Sequence, residues 1–253
     1  MTKDTEFWEP LSAELDRWER CGKQARFWLR DDDTVVPTDA LDRLLALADA
    51  YSVPITLAVI PKESGPELAA QLKNAPGISV ALHGWSHTNH APAGEKKQEF
   101  GLHRGADVVL DELRRGATHL ATLHGERFTS VLVPPWNRID PQLLPHLSGL
   151  AISGISTFGP EREMPLPVIN THVDLIDWKG KRGGRKTADL VVDIVHRLRQ
   201  VFDNGGTVGI LTHHLVHDEV AWQFLERLLR LTCQHENCAW NSISELFSDL
   251  RQP

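Results

Sequence analysis

The sequence has few cysteines, no long apolar run and no excess of basic residues. Its three cysteines, Cys21, Cys233 and Cys238, form no CxxC pair, which argues against a disulfide framework and against a cysteine zinc knuckle. A formal net charge of −7 argues against a surface built to coat a phosphate backbone. The N-terminal residues lack the basic and then apolar pattern of a secretory signal, and no apolar stretch is long enough to span a bilayer. We therefore expect a soluble cytoplasmic protein that binds neither nucleic acid nor membrane, and the sequence leaves homo-oligomerisation open.

One concentrated basic segment stands out, KGKRGGRK at residues 179 to 186. Such a run is typical of a solvated loop. Its adjacent glycines and interleaved cations also suit a mobile flap over an anionic or polar substrate, and both interpretations stay open.

Short apolar segments alternate with amphipathic ones along the chain. They are apolar on both faces, which is typical of parallel strands covered by helices. Helical patterns lie between them, for example TDALDRLLALADA, which Thr38 can cap. We predict one α/β domain over residues 1–253, built as a (β/α) barrel or a doubly wound sheet. The predicted strands are ARFWL (25 to 29), PITLAVI (54 to 60), ISVAL (78 to 82), SVLV (130 to 133), VDLI (173 to 176) and GTVGIL (206 to 211).

Reactive side chains follow these strands with a regularity that suggests one site. In barrels and open α/β sheets the functional site is built at the carboxyl ends of parallel strands. We therefore expect the polar residues at these ends to converge. They are Asp31–Asp33, His83, Pro134–Trp136, Asp177 with Trp178, and His213 with His214.

The histidine pair and the aspartate run together suggest a metal site. His83 and His87 are four residues apart and could direct two imidazoles to one point, although such a pair alone is more often structural. Three consecutive aspartates repel one another unless a cation offsets them, and a surface turn is the other interpretation. One carboxylate and two imidazoles form a hydrolytic metal site with open positions, and a second carboxylate could act as base. His90 and His103, farther along, are interpreted as structural or solvated.

A further imidazole could supply the acid that amide hydrolysis requires. His213 follows a strand and is the first choice, with His214 and His217 as competitors. Alternation along a strand places His213 and His214 on opposite sides. Asp177 could stabilise the protonated imidazole, and Trp178 could wall an apolar pocket.

Five short motifs, in this order, resemble those of the polysaccharide deacetylases, the metal-dependent carbohydrate esterases with a distorted (β/α) barrel. The resemblance covers about residues 26 to 214. The motifs are DDD (31 to 33), HGWSH (83 to 87), VPPWN (133 to 137), DLIDW (174 to 178) and ILTH (210 to 213).

The resemblance implies roles for the metal-site residues. Asp31 would be the general base, and Asp32, His83 and His87 would bind the metal, usually zinc. The family's first motif ends in Asp-Asp-Gly, so a third aspartate here leaves a second register open, with Asp32 as base and Asp33 as ligand. The first register is preferred because it leaves the distance along the sequence from the aspartate pair to the Thr38 cap closer to the family pattern.

The resemblance also implies roles for the remaining motifs. His213 would be the general acid and Asp177 would tune it. The backbone N–H of Trp136 would help to stabilise the oxyanion, and Trp178 and Leu211 would line the pocket for the acetyl methyl group.

The third motif departs from the family pattern. Val133 stands where the family has an arginine that orients the base, and Arg30 or a cation of residues 179 to 186 could replace it. We predict a divergent metal-dependent hydrolase that removes an N-acetyl group from an amino sugar or saccharide. The alternatives are a hydrolase of a non-sugar amide or cyclic ureide, and a non-catalytic carbohydrate-binding relative.

Overall fold

The computed structural model describes residues 3 to 250, which form seven α-helices and eight strands joined by short 3₁₀ turns. Among these residues, no helix is both long and apolar enough to cross a membrane. In chain order the elements are α1 (Lys3–Arg20), β1 (Ala25–Thr34), α2 (Asp39–Ala50), β2 (Ile55–Val59), α3 (Pro66–Leu72), β3 (Ile78–Leu82), α4 (Ala106–His124), β4 (Phe128–Leu132), β5 (Gly154–Ile155), β6 (Val173–Asp174), α5 (Thr187–Val201), β7 (Val208–Thr212), α6 (Glu219–Cys233), β8 (Cys238–Trp240) and α7 (Ile243–Asp249).

The chain divides into two compact units, and each is discontinuous in sequence. The first comprises the chain up to Asp31, Asp39–Ile55 and Thr171–Ser242. The second comprises Asp32–Thr38, Thr56–Asn170 and the segment from Ile243. The boundary falls inside β1, within the aspartate run. A single domain over residues 1–253 stays a prediction.

In the first unit, β1 is the central strand. It pairs in parallel with β7, which pairs in parallel with β6, and β8 pairs in parallel with β1. Helix α1 packs on α5. Its apolar face has helical spacing and is formed by Trp8, Leu11, Leu15 and Trp18, all buried. Helix α6 begins at a true cap, because the Asp218 carboxylate accepts a hydrogen bond from the Ala221 N–H at 3.0 Å.

In the second unit, the strands are arranged in the order β5-β4-β3-β2. The pairings of β3 with β4 and of β4 with β5 are parallel. The residues of β2 are buried throughout, as expected of a strand covered on both faces. Helix α4 approaches this sheet closely at Gly116, where an added Cβ would lie 3.0 Å from Leu82 and from Pro61.

Each of the six sequence-predicted strands coincides with an observed one. The strand β1 extends five residues farther than predicted and takes in the whole aspartate run. The segment from Glu95 to Leu123, whose helical pattern is weakened by three glycines and predicts two helices or one broken helix, is α-helical only from Ala106, after a 3₁₀ turn and Gly105 at φ 86°. The predicted elements did not include the strands β5 and β8 or the helices α1, α3 and α7.

Candidate active site

Asp33, His83 and His87 form a cluster of potential metal ligands in the second unit. One carboxylate oxygen of Asp33, Oδ1, lies 3.1 Å from Nε2 of His83 and 3.3 Å from Nε2 of His87. The imidazole of His83 is buried, while Asp33 and His87 are partly exposed. One carboxylate and two imidazoles therefore converge on a point that solvent can reach.

Local backbone conformation aims these ligands. His83 directly follows β3, and Gly84 turns the chain with φ 72°. His87 and Asp33 are non-glycine residues in the left-handed region, with φ 52° and 70°. Such conformations are costly and persist where the surrounding structure enforces them, which is common at functional sites.

A backbone carbonyl orients the first imidazole. Nδ1 of His83 donates a hydrogen bond to the carbonyl oxygen of Val133 at 2.8 Å. This bond fixes a proton on Nδ1, so Nε2 could present its lone pair to a metal ion placed between it and Asp33. The donor set, with one histidine held in the metal-binding tautomer, fits a divalent ion such as zinc. This contact could not be predicted from residue types, because a main-chain acceptor can belong to any residue.

The charges around the cluster favour a cation. Burial opposes protonation of His83, but the hydrogen bond to Asp33 and the negative charges of Asp32 and Asp33 outweigh it and raise the pKa of His83. Burial, followed by the positive charge of His83, lowers the pKa of His87. The two carboxylates therefore outweigh burial at His83 but not at His87.

Asp31 has a different environment from the one expected. Its carboxylate is completely buried and accepts hydrogen bonds from Thr212 Oγ1 at 2.6 Å, from the His214 N–H at 2.8 Å and from His214 Nδ1 at 2.5 Å. Burial acts to raise the pKa of Asp31, but the charge and hydrogen bond of His214 outweigh it and lower that pKa. All these partners belong to the first unit.

This placement departs from the preferred register, in which Asp31 was the base and Asp32 the ligand. The carboxylate that touches both imidazoles belongs to Asp33. Asp32 is almost fully buried and acts on His83 and His87 through its charge. Asp33 is thus in the place that the second register gives to the metal ligand, while the roles of the three aspartates stay predictions.

A second group of functional candidates lies in the first unit, around His213. Its Nδ1 is 4.0 Å from Oδ1 of Asp174, and its ring meets that of Trp178 edge to face at 4.7 Å between centroids. The Trp178 indole N–H donates to Oδ2 of Asp174 at 2.8 Å. The Asp174 carboxylate thus binds the Trp178 indole and also faces the His213 imidazole.

Asp177, expected beside His213, is engaged elsewhere. Its carboxylate accepts a hydrogen bond from the Gly180 N–H at 2.9 Å and so closes its own loop. The carboxylate near His213 is that of Asp174, three residues earlier in the same DLIDW motif. The carboxylate that faces His213 thus lies in the predicted motif but three residues before Asp177, and a tuning role for either residue stays a prediction.

His214 and His217, the competitors of His213, are both in confined positions. His214 is committed to Asp31 through Nδ1, and its Nε2 is buried without a hydrogen-bond partner among the described residues. His217 packs edge to face on Trp222, and burial lowers its pKa to about 4.

The predicted substrate-binding residues occupy two different settings. In the second unit, Trp136 has φ 54° and its ring lies 4.3 Å from that of His87, measured between centroids. In the first unit, Leu211 is buried in β7, paired with Arg30 on one side and Asp174 on the other. Arg30 is itself fully buried.

The basic segment at residues 179 to 186 is folded onto α6. Lys181 pairs with Asp218 at 3.0 Å, and the Gly184 N–H donates to the same carboxylate at 2.9 Å. Arg185 pairs with Asp193 at 2.7 Å and donates to the Asp174 carbonyl. This network supports an anchored loop rather than a free flap.

No protein-family model matches this sequence, and no curated protein matches it either. Solved structures do match. A candidate polysaccharide deacetylase from Mycobacterium smegmatis has a TM-score of 0.68 at 17% identity, over 91% of each chain. The chain has the fold of the polysaccharide deacetylases. The predicted fold class, a distorted (β/α) barrel with parallel strands and outer helices, is confirmed.

Two further structures share the polysaccharide deacetylase fold. A family 4 carbohydrate esterase from Streptomyces lividans, solved with acetate, has a TM-score of 0.57 at 16% identity, over 88% of this chain and 94% of that one. A family 4 acetyl xylan esterase from Clostridium thermocellum, solved with a cobalt ion, has a TM-score of 0.54 at 18% identity, over 90% and 93%. At identities this low, structural similarity establishes the fold alone. The activity has to be argued from the residues.

Proposed function

We propose that the protein is a metal-dependent hydrolase that removes an acetyl group from the nitrogen of an amino sugar or saccharide. The observation that carries the proposal is the convergence of Asp33 Oδ1 on Nε2 of both His83 and His87. The resemblance of five ordered motifs and the shared fold supply the substrate class. Zinc is the metal proposed first, because two imidazoles and one carboxylate are a common catalytic zinc set.

In this proposal the residues divide the chemistry. A divalent ion held by Asp33, His83 and His87 would supply Lewis-acid polarisation of the acyl carbonyl and of the attacking water. Asp32 takes the proton from that water as the general base. Asp32 is almost fully buried, so its carboxylate has little contact with bulk solvent.

The family motifs supply the other proposed roles. His213 donates a proton to the departing amine, with Asp174 supporting the charged imidazole, and the backbone N–H of Trp136 stabilises the oxyanion. Trp178 and Leu211 line the pocket for the acetyl methyl group. The roles of His213, Trp178 and Leu211 rest on the fourth and fifth motifs and on contacts within the first unit. The role of Trp136 rests on the third motif.

The test is acetate release with a metal-binding readout. Protein stripped by chelator is titrated with Zn²⁺ in a calorimeter and then assayed on N-acetylated amino sugars, including nucleotide-linked ones, beside small acylated amines and cyclic ureides. We expect one-to-one binding and acetate release from a sugar, both lost in Asp33→Ala and both kept in His90→Ala. Turnover of ureides alone would favour the non-sugar alternative, and a folded wild type that binds no metal would contradict the proposal.

A further inference from the structure

Glu99 is a buried carboxylate that binds the turn between the two candidate metal histidines. It is completely buried, and its Oε1 accepts hydrogen bonds from the Ser86 N–H at 2.8 Å and from Ser86 Oγ at 3.2 Å. The Trp85 N–H points at both carboxylate oxygens, at 3.3 Å each. Two successive backbone N–H groups and a hydroxyl thus surround one carboxylate, as in an anion-binding nest.

This burial has a cost that the turn must offset. Burial raises the pKa of Glu99, while the hydrogen bonds from Ser86 and Trp85 act in the opposite direction. A buried carboxylate is tolerated where hydrogen bonds replace its hydration. The hydrogen bonds to the Glu99 carboxylate described here come from Trp85 and Ser86. They replace water around the carboxylate and restrain the conformation of this turn.

The turn is shaped to admit the carboxylate. Gly84 has φ 72°, and an added Cβ there would lie 2.1 Å from Oε2 of Glu99 and 2.7 Å from Pro135. Glycine is therefore required at this position by both conformation and space. His87, three residues later, has φ 52°, and this strained conformation aims its imidazole at Asp33.

The segment around Glu99 also holds the loop that follows β4. The Lys97 carbonyl accepts a hydrogen bond from Arg138 at 2.9 Å, and the Phe100 carbonyl accepts one from the Asp140 N–H at 2.8 Å. That loop begins at Val133, whose carbonyl orients His83. The segment around Glu99 therefore restrains two stretches of backbone. One is the turn between His83 and His87, and the other is the loop after β4, which sets the tautomer of His83.

We propose that Glu99 is a positioning residue for the metal site, which holds the His83–His87 turn so that both imidazoles present Nε2 to one point. The inference rests on the proposed function, because it assumes that these histidines bind a metal. Glu99 touches no ligand atom itself and acts through the backbone N–H groups of Trp85 and Ser86. Outer partners of this kind typically change metal affinity 10–100-fold when they are removed.

The test compares Glu99→Ala and Glu99→Gln with Glu95→Ala, a matched control on the same segment whose side chain is exposed. Zn²⁺ affinity is measured by calorimetry on the chelator-stripped full chain, and the visible spectrum of the Co²⁺ form reports ligand geometry. We expect about 10–100-fold weaker binding and an altered Co²⁺ spectrum in Glu99→Ala, a smaller loss in Glu99→Gln, and wild-type behaviour in Glu95→Ala.

The outcomes separate this inference from the proposed function. Wild-type affinity and spectrum in a folded Glu99→Ala would overturn the inference alone. If Glu99→Ala does not fold, the nearly isosteric Glu99→Gln decides, because its amide keeps one acceptor oxygen but lacks the carboxylate charge. No Zn²⁺ binding by the wild type would contradict the proposed function and this inference together.

Discussion

At the scale of single residues, three consecutive aspartates have three separate environments. Asp31 is sealed against His214 and Thr212, Asp32 is buried beside the histidine cluster, and Asp33 reaches the imidazoles. Three identical residues therefore occupy different positions. Asp31 binds His214 and Thr212, Asp32 is the proposed general base, and Asp33 is the proposed metal ligand.

This division predicts opposite effects for two conservative changes. Asp32→Asn should lower kcat for acetate release at least 100-fold, since it removes the base, while Zn²⁺ binding and stability remain. Asp31→Asn should instead lower the free energy of unfolding by about 2 kcal/mol or more, because it leaves the buried His214 without its charged partner. Acetate assays, calorimetry and urea unfolding on both variants measure this. Full stability but no activity in Asp31→Asn, together with an active Asp32→Asn, would restore the first register.

Asp174 and Asp177 provide a second matched pair. Asp174→Asn weakens the support of His213 and the anchor of Trp178, so we expect kcat to fall about tenfold or more with a smaller change in KM. Asp177→Asn keeps an acceptor oxygen for the Gly180 N–H and should change kcat by less than about twofold. Steady-state kinetics on the two variants decide between them. Equal losses would mean that the loop, rather than the carboxylate beside the imidazole, matters.

At the scale of elements, helix α4 ends on a histidine that is buried without partners. Both ring nitrogens of His124 lack hydrogen bonds among the described residues, and burial, with the nearby charges of His119 and Arg127, lowers its pKa to about 4. In the unfolded chain the pKa returns to about 6.5. The unfolded state therefore binds the proton first, and stability present above about pH 6.5 is lost as the pH falls toward 4.

Replacing this histidine should remove that acid sensitivity. We expect His124→Leu to be more stable than the wild type at pH 5 by about 1 kcal/mol, a value reduced for partial solvent screening. Urea unfolding at pH 7.5 and pH 5 measures the difference, with the exposed His146→Leu as the control that should follow the wild type. Parallel pH profiles for the wild type and His124→Leu would show that this residue is not the source.

The elements also show what local patterns reveal and what they miss. The buried strands β2 and β3 and the amphipathic helices α5 and α6 were predictable, because each has several apolar residues at one period. The two-residue β5 and the seven-residue α3 and α7 are too short for a periodic pattern and depend on tertiary packing. Helix α1 is different. Its four buried apolar residues have helical spacing in the sequence, so this helix could have been predicted. They are Trp8, Leu11, Leu15 and Trp18.

At the scale of the whole molecule, the fold was more predictable than the site. Strand-end positions brought the histidine pair and the aspartate run into one hypothesis, and the structure places His83, His87 and one aspartate together. The register could not be decided from sequence, because it depends on how far β1 continues and on the left-handed turn at Asp33. Contacts made through backbone atoms, such as Val133 with His83 and Glu99 with Trp85, leave no residue-type signature.

The anchored basic segment has a consequence for the lifetime of the chain. Five of its eight residues are lysine or arginine, so a flexible version would be a preferred target for trypsin-like proteases, which need an extended and mobile stretch. Asp218 holds this stretch through Lys181 and Gly184 while it also caps α6. A single carboxylate thus links the start of a core helix to the protection of the most cleavable part of the sequence, and its loss would expose the chain to nicking between α5 and β6.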